Sequence, residues 1–165
     1  MRIKVKYHNS LCKFRFINKG EWVDLRASET LNFNAPIMDE LKGEIKFDFK
    51  LIPLGFSMKL PKDFEAWIVP RSSTYKTWGL LQTNSKGVVD SSFSGNNDIW
   101  LFPALAFKNA TVFEGERICQ FRICPSQKAS IWTKIKWLFT SKIEFVEVGD
   151  LQEADRGGIG STGVK

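Results

Sequence analysis

The sequence predicts an all-β fold, a sandwich or a barrel assembled from many short strands. Apolar segments of five to eleven residues recur along the chain, clusters of Gly, Pro, Asn and Ser separate them, and no long stretch has helical periodicity. A length of 165 residues and a hydrophobic fraction of 43% suit one domain, residues 1–165, with its own core.

The first strand has the clearest signal. Arg2–Tyr7 alternates charged and apolar side chains, so its three apolar residues share one face. Further strand candidates, in chain order, are Lys46–Phe56, Glu65–Val69, Asp98–Phe107 and Arg117–Ile123. Pro53 and Pro103 place their segments at sheet edges, bulges or bends, because proline cannot donate to a strand ladder.

Two segments are candidates for helices. Ser72–Leu81 predicts one short, turn-rich helix. Within Ser130–Phe139, four apolar residues share a helical face, namely Ile131, Ile135, Leu138 and Phe139. A strand would also place four apolar residues on one face, so the periodicity leaves helix and strand open. The segment either packs against its own domain or presents a surface to a partner or a membrane.

Histidine and cysteine usage excludes several chemistries. The single histidine, His8, excludes a His-rich zinc site. Three cysteines without a Cys-x-x-Cys pair fit no complete disulfide framework and predict reduced, mostly buried thiols. The N-terminus lacks the apolar core of a signal peptide, and no apolar run approaches the roughly 20 residues of a membrane span. We therefore expect a cytoplasmic protein without a membrane segment.

The charge distribution favours an anionic ligand. The net charge is +6, and the first twenty residues carry six Lys or Arg and no acid. Residues 126–143 carry four Lys and no acid. Such a balance suits nucleic acid or a phosphorylated molecule, and charge alone does not choose between them.

The glycine-rich C-terminus, residues 155–165, has the composition of a phosphate-binding segment. Its glycines let backbone amides approach an oxyanion, Ser161 and Thr162 add hydroxyl donors, and Arg156 offers a bidentate guanidinium. Only two residues follow Gly163, too few for the helix of a P-loop. A flexible tail that closes over a phosphate fits, as does a disordered terminus. Removing residues 155–165 is expected to leave stability almost unchanged.

Two internal segments also carry candidate site residues. Arg71 is followed by three hydroxyl residues at a predicted strand end, where free backbone N–H groups bind anions; a helix cap and an ion pair are the alternatives. Asp90 follows two valines, which predicts a partly desolvated carboxylate at a strand end. Such a carboxylate would accept a proton from water or would cap a turn.

Five segments in this order resemble the five motifs of the trimeric dUTP pyrophosphatases (dUTPases): Trp22–Ala27, Pro70–Ser73, Gly87–Gly95, Gly115–Gln120 and Arg156–Gly163. The resemblance extends from about Glu21 to the C-terminus and is strongest to the phage and Bacillus-type branch. Five motifs in order are far more specific than any one of them.

The resemblance implies a homotrimer of jelly-roll subunits with a flexible Gly-rich C-terminal tail. Each active site would combine segments of neighbouring subunits and cleave dUTP to dUMP and pyrophosphate, with Mg²⁺ on the triphosphate. Residues 126–143 then lie between the fourth and fifth motifs and are predicted to be an insertion. Within it, residues 128–139 are a candidate surface for a protein partner.

The resemblance also implies a role for individual residues. Asp90 would orient and deprotonate the attacking water, Asp24 would support hydrated Mg²⁺ through water, and Arg117 would form a structural ion pair. The residues implied to bind the phosphates are Arg71, Ser72, Ser73, Gln120, Arg156, Ser161 and Thr162. Those implied to bind the nucleoside are Asn84, Gly87, Val88, Val89, Phe93 and Ile159.

Two positions depart from the family pattern. Phe93 stands where most relatives have Tyr, and it keeps the ring that packs on the deoxyribose. Ile159 stands where many relatives place a Phe over the uracil. Three alternatives remain for this position: Ile159 covers the base without a π-face, another aromatic residue (Trp100 or Phe102) replaces it, or closure over the base is weaker.

Two rival functions are compatible with parts of the sequence. A dCTP deaminase shares the fold and an Arg-Ser-Ser segment, but deaminases resemble this chain less after Asp90 and lack such a tail. A regulatory protein on the same fold would bind nucleic acid or protein through the basic N-terminus and residues 128–139. The presence of Asp90 and of the phosphate-binding residues argues against that second alternative.

Overall fold

Short β-strands are the main secondary structure of the computed structural model, which describes residues 1–15, 21–139 and 142–157. The strands in these ranges are β1 (Arg2–Tyr7), β2 (Val23–Arg26), β3 (Leu31–Phe33), β4 (Ile37–Asp39), β5 (Glu44–Lys46), β6 (Phe49–Pro53), β7 (Phe56–Lys59), β8 (Phe64–Pro70), β9 (Leu80–Gln82), β10 (Gly87–Asp90), β11 (Leu101–Ala106), β12 (Ala110–Val112), β13 (Arg117–Pro125) and β14 (Glu144–Glu147). The helices are α1 (Thr74–Trp78) and α2 (Ile131–Phe139). The prediction of an all-β fold is confirmed.

The strands form three sheets and two smaller pairs. The sheet orders are β14-β1-β7, β10-β8-β13-β2 and β6-β11-β9, and the pairs are β12-β3 and β4-β5. Strand β1 pairs in parallel with β14, and every other pairing among the described residues is antiparallel. The four-stranded sheet carries Asp24, Gln120 and the candidate residues Gly87–Asp90.

Aromatic side chains from different sheets meet at the centre of the core. The Phe56 and Trp100 rings lie 4.9 Å apart, and Trp100 lies 5.4 Å from Phe121. All three are almost completely buried. Truncating such a residue to Ala typically costs about 3–5 kcal/mol of stability, so this cluster fixes how the sheets pack.

The predicted strand Lys46–Phe56 is wrong as a single element, because the chain turns at Gly55. Gly55 has a φ of 69°, and a Cβ there would lie 2.8 Å from Cys12 Sγ and 2.8 Å from Ser28 Cβ. Only glycine tolerates both the backbone angle and the contact. Strands β6 and β7 on either side of this turn therefore belong to different sheets.

The predicted helix Ser72–Leu81 is shortened to α1 by a second glycine. Gly79 has a φ of 66° and donates its N–H to the Tyr75 carbonyl at 2.7 Å. This left-handed residue ends the helix, and Leu80 begins strand β9.

The sequence predicts that Pro53 and Pro103 place their segments at sheet edges, bulges or bends. This prediction is confirmed for Pro53 and is wrong for Pro103. Strand β6 has one partner among the described residues, whereas β11 pairs on both sides. The register between β11 and β9 begins at Ala104, so the missing N–H of Pro103 lies outside it. Proline is tolerated there because no ladder bond to β9 is lost.

Segment Ser130–Phe139 forms helix α2, which resolves the choice between helix and strand. Its Trp137 ring lies 5.4 Å from Phe64 of the domain. The rest of its apolar face is 38% to 83% exposed: Ile131, Trp132, Ile135, Leu138 and Phe139. The helix therefore contacts its own domain through Trp137, whereas the face formed by these five residues is not covered by the described residues. No helix in the described ranges is long and apolar enough to cross a membrane.

Candidate functional site

Asp24 on β2 joins two arginines from other parts of the four-stranded sheet. Its carboxylate lies 2.9 Å from Arg71 Nε and 2.9 Å from Arg117 Nη1. Gln120 stands opposite Asp24 in the register of β13 and β2. We call Asp24, Arg71, Arg117 and Gln120 the Arg71 cluster. It concentrates guanidinium groups at one end of the sheet, which suits an anionic ligand, and it agrees with the structural ion pair expected for Arg117.

The two serines after Arg71 precede helix α1. Ser73 occupies the N-cap position, but its side chain makes no capping hydrogen bond, and Ser72 is exposed. Thr74 instead accepts the Arg71 N–H at 3.0 Å and donates to the Ile118 carbonyl. The alternative that these serines serve as ordinary helix caps is thus not supported for Ser73. Their hydroxyl groups remain available as donors beside Arg71.

Asn84 lies beside the first residue of strand β10, with its amide orientation set by Gln82. Gln82 Nε2 donates to the Ile68 carbonyl at 3.1 Å and to Asn84 Oδ1 at 2.8 Å. A carbonyl oxygen only accepts, so it fixes which end of the Gln82 amide faces it. Because Asn84 Oδ1 accepts from Gln82, the Asn84 Nδ2 donor lies on the other side of the amide, 3.7 Å from the position of a Cβ at Gly87. Gly87 suits this site, because a Cβ there would lie 3.3 Å from Ile68 Cβ.

Asp90 is the last residue of β10, as the sequence predicts, but its side chain is 55% exposed rather than partly desolvated. Its carboxylate accepts the N–H and the hydroxyl of Ser92, at 2.8 and 2.5 Å, and lies 3.3 Å from Arg156 Nη1. Burial alone would raise the pKa of Asp90, but the Ser92 hydrogen bonds and the Arg156 charge outweigh it and hold the pKa below its usual value. We call Asp90, Ser92 and Arg156 the Asp90 cluster.

Within one chain, the Asp90 cluster and the Arg71 cluster lie at opposite ends of β8. In the sheet register Asp90 stands opposite Glu65 near the start of β8, whereas Cys119 of the Arg71 cluster's strand stands opposite Pro70 at its end. Six residues of extended strand separate Glu65 from Arg71, which is about 20 Å at the usual rise. A ligand that touched both clusters of one chain would have to span about that distance.

Several predicted site residues are not brought to an open surface or are not described. Ile159, Ser161 and Thr162 lie outside the described residues. Trp100 and Phe102 are fully buried in the core, so the prediction that one of them covers a base is wrong. Phe93 is partly buried against the core near Asp90, while Val88 is 55% exposed and Val89 is partly buried.

Sequence reasoning missed Gln82 and Asp98. Gln82 directly follows the predicted helix Ser72–Leu81, and Asp98 is the first residue of a predicted strand, so neither position signals a buried polar side chain. Gln82 is 4% exposed and Asp98 is 2% exposed. A buried amide and a buried carboxylate need specific partners, but only their burial, which the sequence does not reveal, would have identified them.

Comparisons with known proteins identify relatives over most of the chain. A family model described as dUTPase matches residues 42–163. The SPbeta prophage-derived deoxyuridine 5'-triphosphate nucleotidohydrolase of Bacillus subtilis is 42% identical over 166 residues, 100% of each chain. The deoxyuridine 5'-triphosphate nucleotidohydrolase of Clostridium novyi is 38% identical and covers 70% of this chain and 72% of its own length.

Solved structures share the fold at low sequence identity. The dUTPase from Streptococcus mutans gives a TM-score of 0.62 at 19% identity, over 75% of this chain and 93% of that one. A mutant Staphylococcus bacteriophage 80alpha dUTPase with dUpNHpp gives 0.59 at 14% identity, over 98% of both chains. A dUTPase from phage phi11 of S. aureus, described as coordinating a structural Mg(II) ion, gives 0.60 at 11% identity, over 78% and 94%.

Proposed function

The chain belongs to the dUTPase family, and its activity is the hydrolysis of dUTP; from this premise we propose how its own residues perform the reaction. Asp90 acts as the general base for the attacking water. The observation that carries this assignment is the placement of its carboxylate, which is exposed at a strand end and held in the ionised form by Ser92. An ionised carboxylate is the form that accepts a proton.

In the proposed reaction, water attacks the α-phosphorus of dUTP and displaces pyrophosphate. The water oxygen bonds to the α-phosphorus, its proton moves to Asp90, and the bond between the α-phosphorus and the bridging oxygen breaks. Pyrophosphate leaves and dUMP remains. Arg156 pairs with Asp90 in the described chain, and a triphosphate offers that guanidinium a stronger bidentate partner. Transfer of Arg156 to the phosphates then frees Asp90 to accept the proton.

The Arg71 cluster binds the phosphates in this proposal. Asp24 holds the Arg71 guanidinium by its Nε, and Nη1 donates to the Arg117 carbonyl at 3.2 Å. These contacts pre-orient a flexible side chain before the ligand arrives, which lowers the entropy lost on binding. Ser72, Ser73 and Gln120 add hydrogen-bond donors, and the tail contributes Arg156, Ser161 and Thr162.

The strand β10 segment reads the uracil edge. Asn84 presents its Nδ2 donor there, which matches a carbonyl oxygen of uracil and opposes the amino group of cytosine. Backbone groups of Gly87, Val88 and Val89 complete the contacts, Phe93 packs on the deoxyribose, and Ile159 covers the base. This donor pattern favours dUTP hydrolysis over the rival dCTP deaminase.

Mg²⁺ is the cofactor that this reaction would use. The described residues contain no group of three or more His, Cys, Asp or Glu that would hold a metal directly. Both carboxylate oxygens of Asp24 already contact arginines. The donor set fits a hydrated Mg²⁺ held by phosphate oxygens, with Asp24 contacting it through water. The bound ion would neutralise phosphate charge.

The separation of the two clusters supports a homotrimer with shared active sites. The Asp90 cluster of one subunit would meet the Arg71 cluster of its neighbour, and a closed cyclic assembly completes every site in this way. A cytoplasmic location agrees with free, buried cysteines.

The test is Asp90→Asn in the full chain, assayed with dUTP, dTTP, dCTP and UTP, with and without Mg²⁺. We expect turnover of dUTP to fall about 10²- to 10⁴-fold, because an amide does not accept the proton, while dUTP binding persists. Asp39→Asn, on the distant β4-β5 pair, is the matched control and should retain wild-type turnover. Wild-type turnover by the Asp90 variant would reject the assignment.

A further inference from the structure

The carboxylate of Asp98 is buried and is bonded by backbone N–H groups. It accepts the N–H of Gly95 at 2.8 Å, of Arg156 at 3.0 and 3.1 Å, and of Gly157 at 3.1 Å. The residue is 2% exposed, and no ion pair to it is formed within the described ranges. Both oxygens must be acceptors, because all three partners are donors. An asparagine at position 98 would point its own NH₂ donors at one of these N–H groups.

The backbone around Asp98 is shaped to receive the same segment. A Cβ at Gly95 would clash with Asp155 Oδ1 and with Asp155 Cα. Asp155 in turn accepts the backbone N–H of Asn97 at 2.8 Å and its side-chain amide at 2.7 Å. Residues 95–98 and 155–157 therefore pack backbone against backbone, in an arrangement that any side chain at Gly95 would obstruct.

This contact places the Arg156 side chain beside Asp90. Two neighbouring N–H groups, of Arg156 and Gly157, are fixed on one carboxylate, and Arg156 Nη1 then lies 3.3 and 3.4 Å from the Asp90 oxygens. Without Asp98, the chain would be held by buried Leu151 and by the Asp155 contacts with Asn97. A more loosely attached segment would lower the effective concentration of the Arg156 guanidinium at the triphosphate.

We propose that Asp98 is a positioning residue for dUTP hydrolysis: its buried carboxylate docks the base of the C-terminal segment and holds Arg156 where it binds the triphosphate. The inference rests on the proposed phosphate role of Arg156. Asp98 lies outside the five motifs. It acts through the backbone N–H groups of Arg156 and Gly157 rather than on the substrate.

The test is a double-mutant cycle between Asp98→Asn and Arg156→Ala in the full chain, with kcat and KM for dUTP and the urea midpoint measured for each variant. We expect D98N to lower kcat/KM about 10- to 100-fold when Arg156 is present, and less than about twofold in the R156A background. Gly95→Ala obstructs the same contact while leaving the Asp98 carboxylate in place, so it should reproduce this pattern even where D98N folds poorly.

Asp48→Asn is the matched control. Asp48 also accepts a backbone N–H, but from Asn34 at 2.9 Å rather than from the C-terminal segment. The Asp48→Asn variant should therefore keep wild-type kcat/KM. Equal fold-losses for D98N in both backgrounds would show a purely structural role and overturn the inference, as would wild-type kcat/KM in both D98N and G95A. Wild-type kcat/KM in R156A would instead overturn the phosphate role on which the inference rests.

Discussion

Asp24→Asn should destabilise the protein strongly, because the Asp24 carboxylate forms ion pairs with two arginines. The Asp24 side chain is 13% exposed, and its oxygens lie 2.9 Å from Arg71 Nε and 2.9 Å from Arg117 Nη1. An amide of the same size keeps one acceptor oxygen and turns an NH₂ group toward the other guanidinium. The substitution therefore removes one charge-assisted bond, weakens the other and leaves two cations close together.

The magnitude follows from burial. A hydrogen bond to a charged group contributes about 1.5–3 kcal/mol, and breaking a fully buried pair costs about 3–5 kcal/mol. The two arginine side chains are 25% and 37% exposed, so water and salt screen part of the loss. We expect a decrease of about 2–4 kcal/mol in the free energy of unfolding.

Urea denaturation at one fixed protein concentration measures this loss, since assembly makes stability concentration-dependent. With a typical urea slope, the midpoint should fall by about 1–2 M. Glu144→Gln is the matched control: the Arg2–Glu144 pair has the same 2.9 Å length but is 79% and 59% exposed. Its loss should stay below about 1 kcal/mol. A midpoint shift for the Asp24 variant no larger than that of the control would refute the reasoning.

Three further predictions follow from the site. Ser92→Ala removes a hydrogen bond that lowers the pKa of Asp90, so the acidic limb of the kcat/KM profile against pH should move to higher pH. Asn84→Asp turns an acceptor toward uracil and should lower kcat/KM for dUTP about 10- to 100-fold, with a smaller loss for dCTP, in steady-state assays. The three buried cysteines have raised pKa values, about 11 for Cys12, so a thiol reagent at mildly alkaline pH should label them only after unfolding.

Local patterns predicted the strands whose signals are local. Strand β1 coincides with the predicted Arg2–Tyr7, because alternation in six residues determines both the strand and its buried face. Strand β8 extends one residue beyond the predicted Glu65–Val69 at each end, and β13 begins at Arg117 as predicted. The two valines before Asp90 likewise predicted its place at the end of a strand.

Breaks and long-range contacts were not predictable in this way. The turn at Gly55 depends on the close approach of Cys12 and Ser28, which are far away in sequence. The Asp98 site joins residues 58 positions apart. It also contradicts the expectation that removing residues 155–165 leaves stability almost unchanged, because that truncation deprives a buried carboxylate of two N–H donors. A truncation after Gly157 would avoid this loss.

The most direct test of a site shared between subunits is complementation. Asp90→Asn and Arg71→Ala chains, each nearly inactive alone, are unfolded, mixed in equal amounts and refolded together, and dUTP hydrolysis is measured. If every site takes Asp90 from one subunit and Arg71 from its neighbour, random mixing should restore about one quarter of wild-type activity, since half of the subunits supply each intact residue. Activity no higher than that of the separately refolded variants would contradict the shared site.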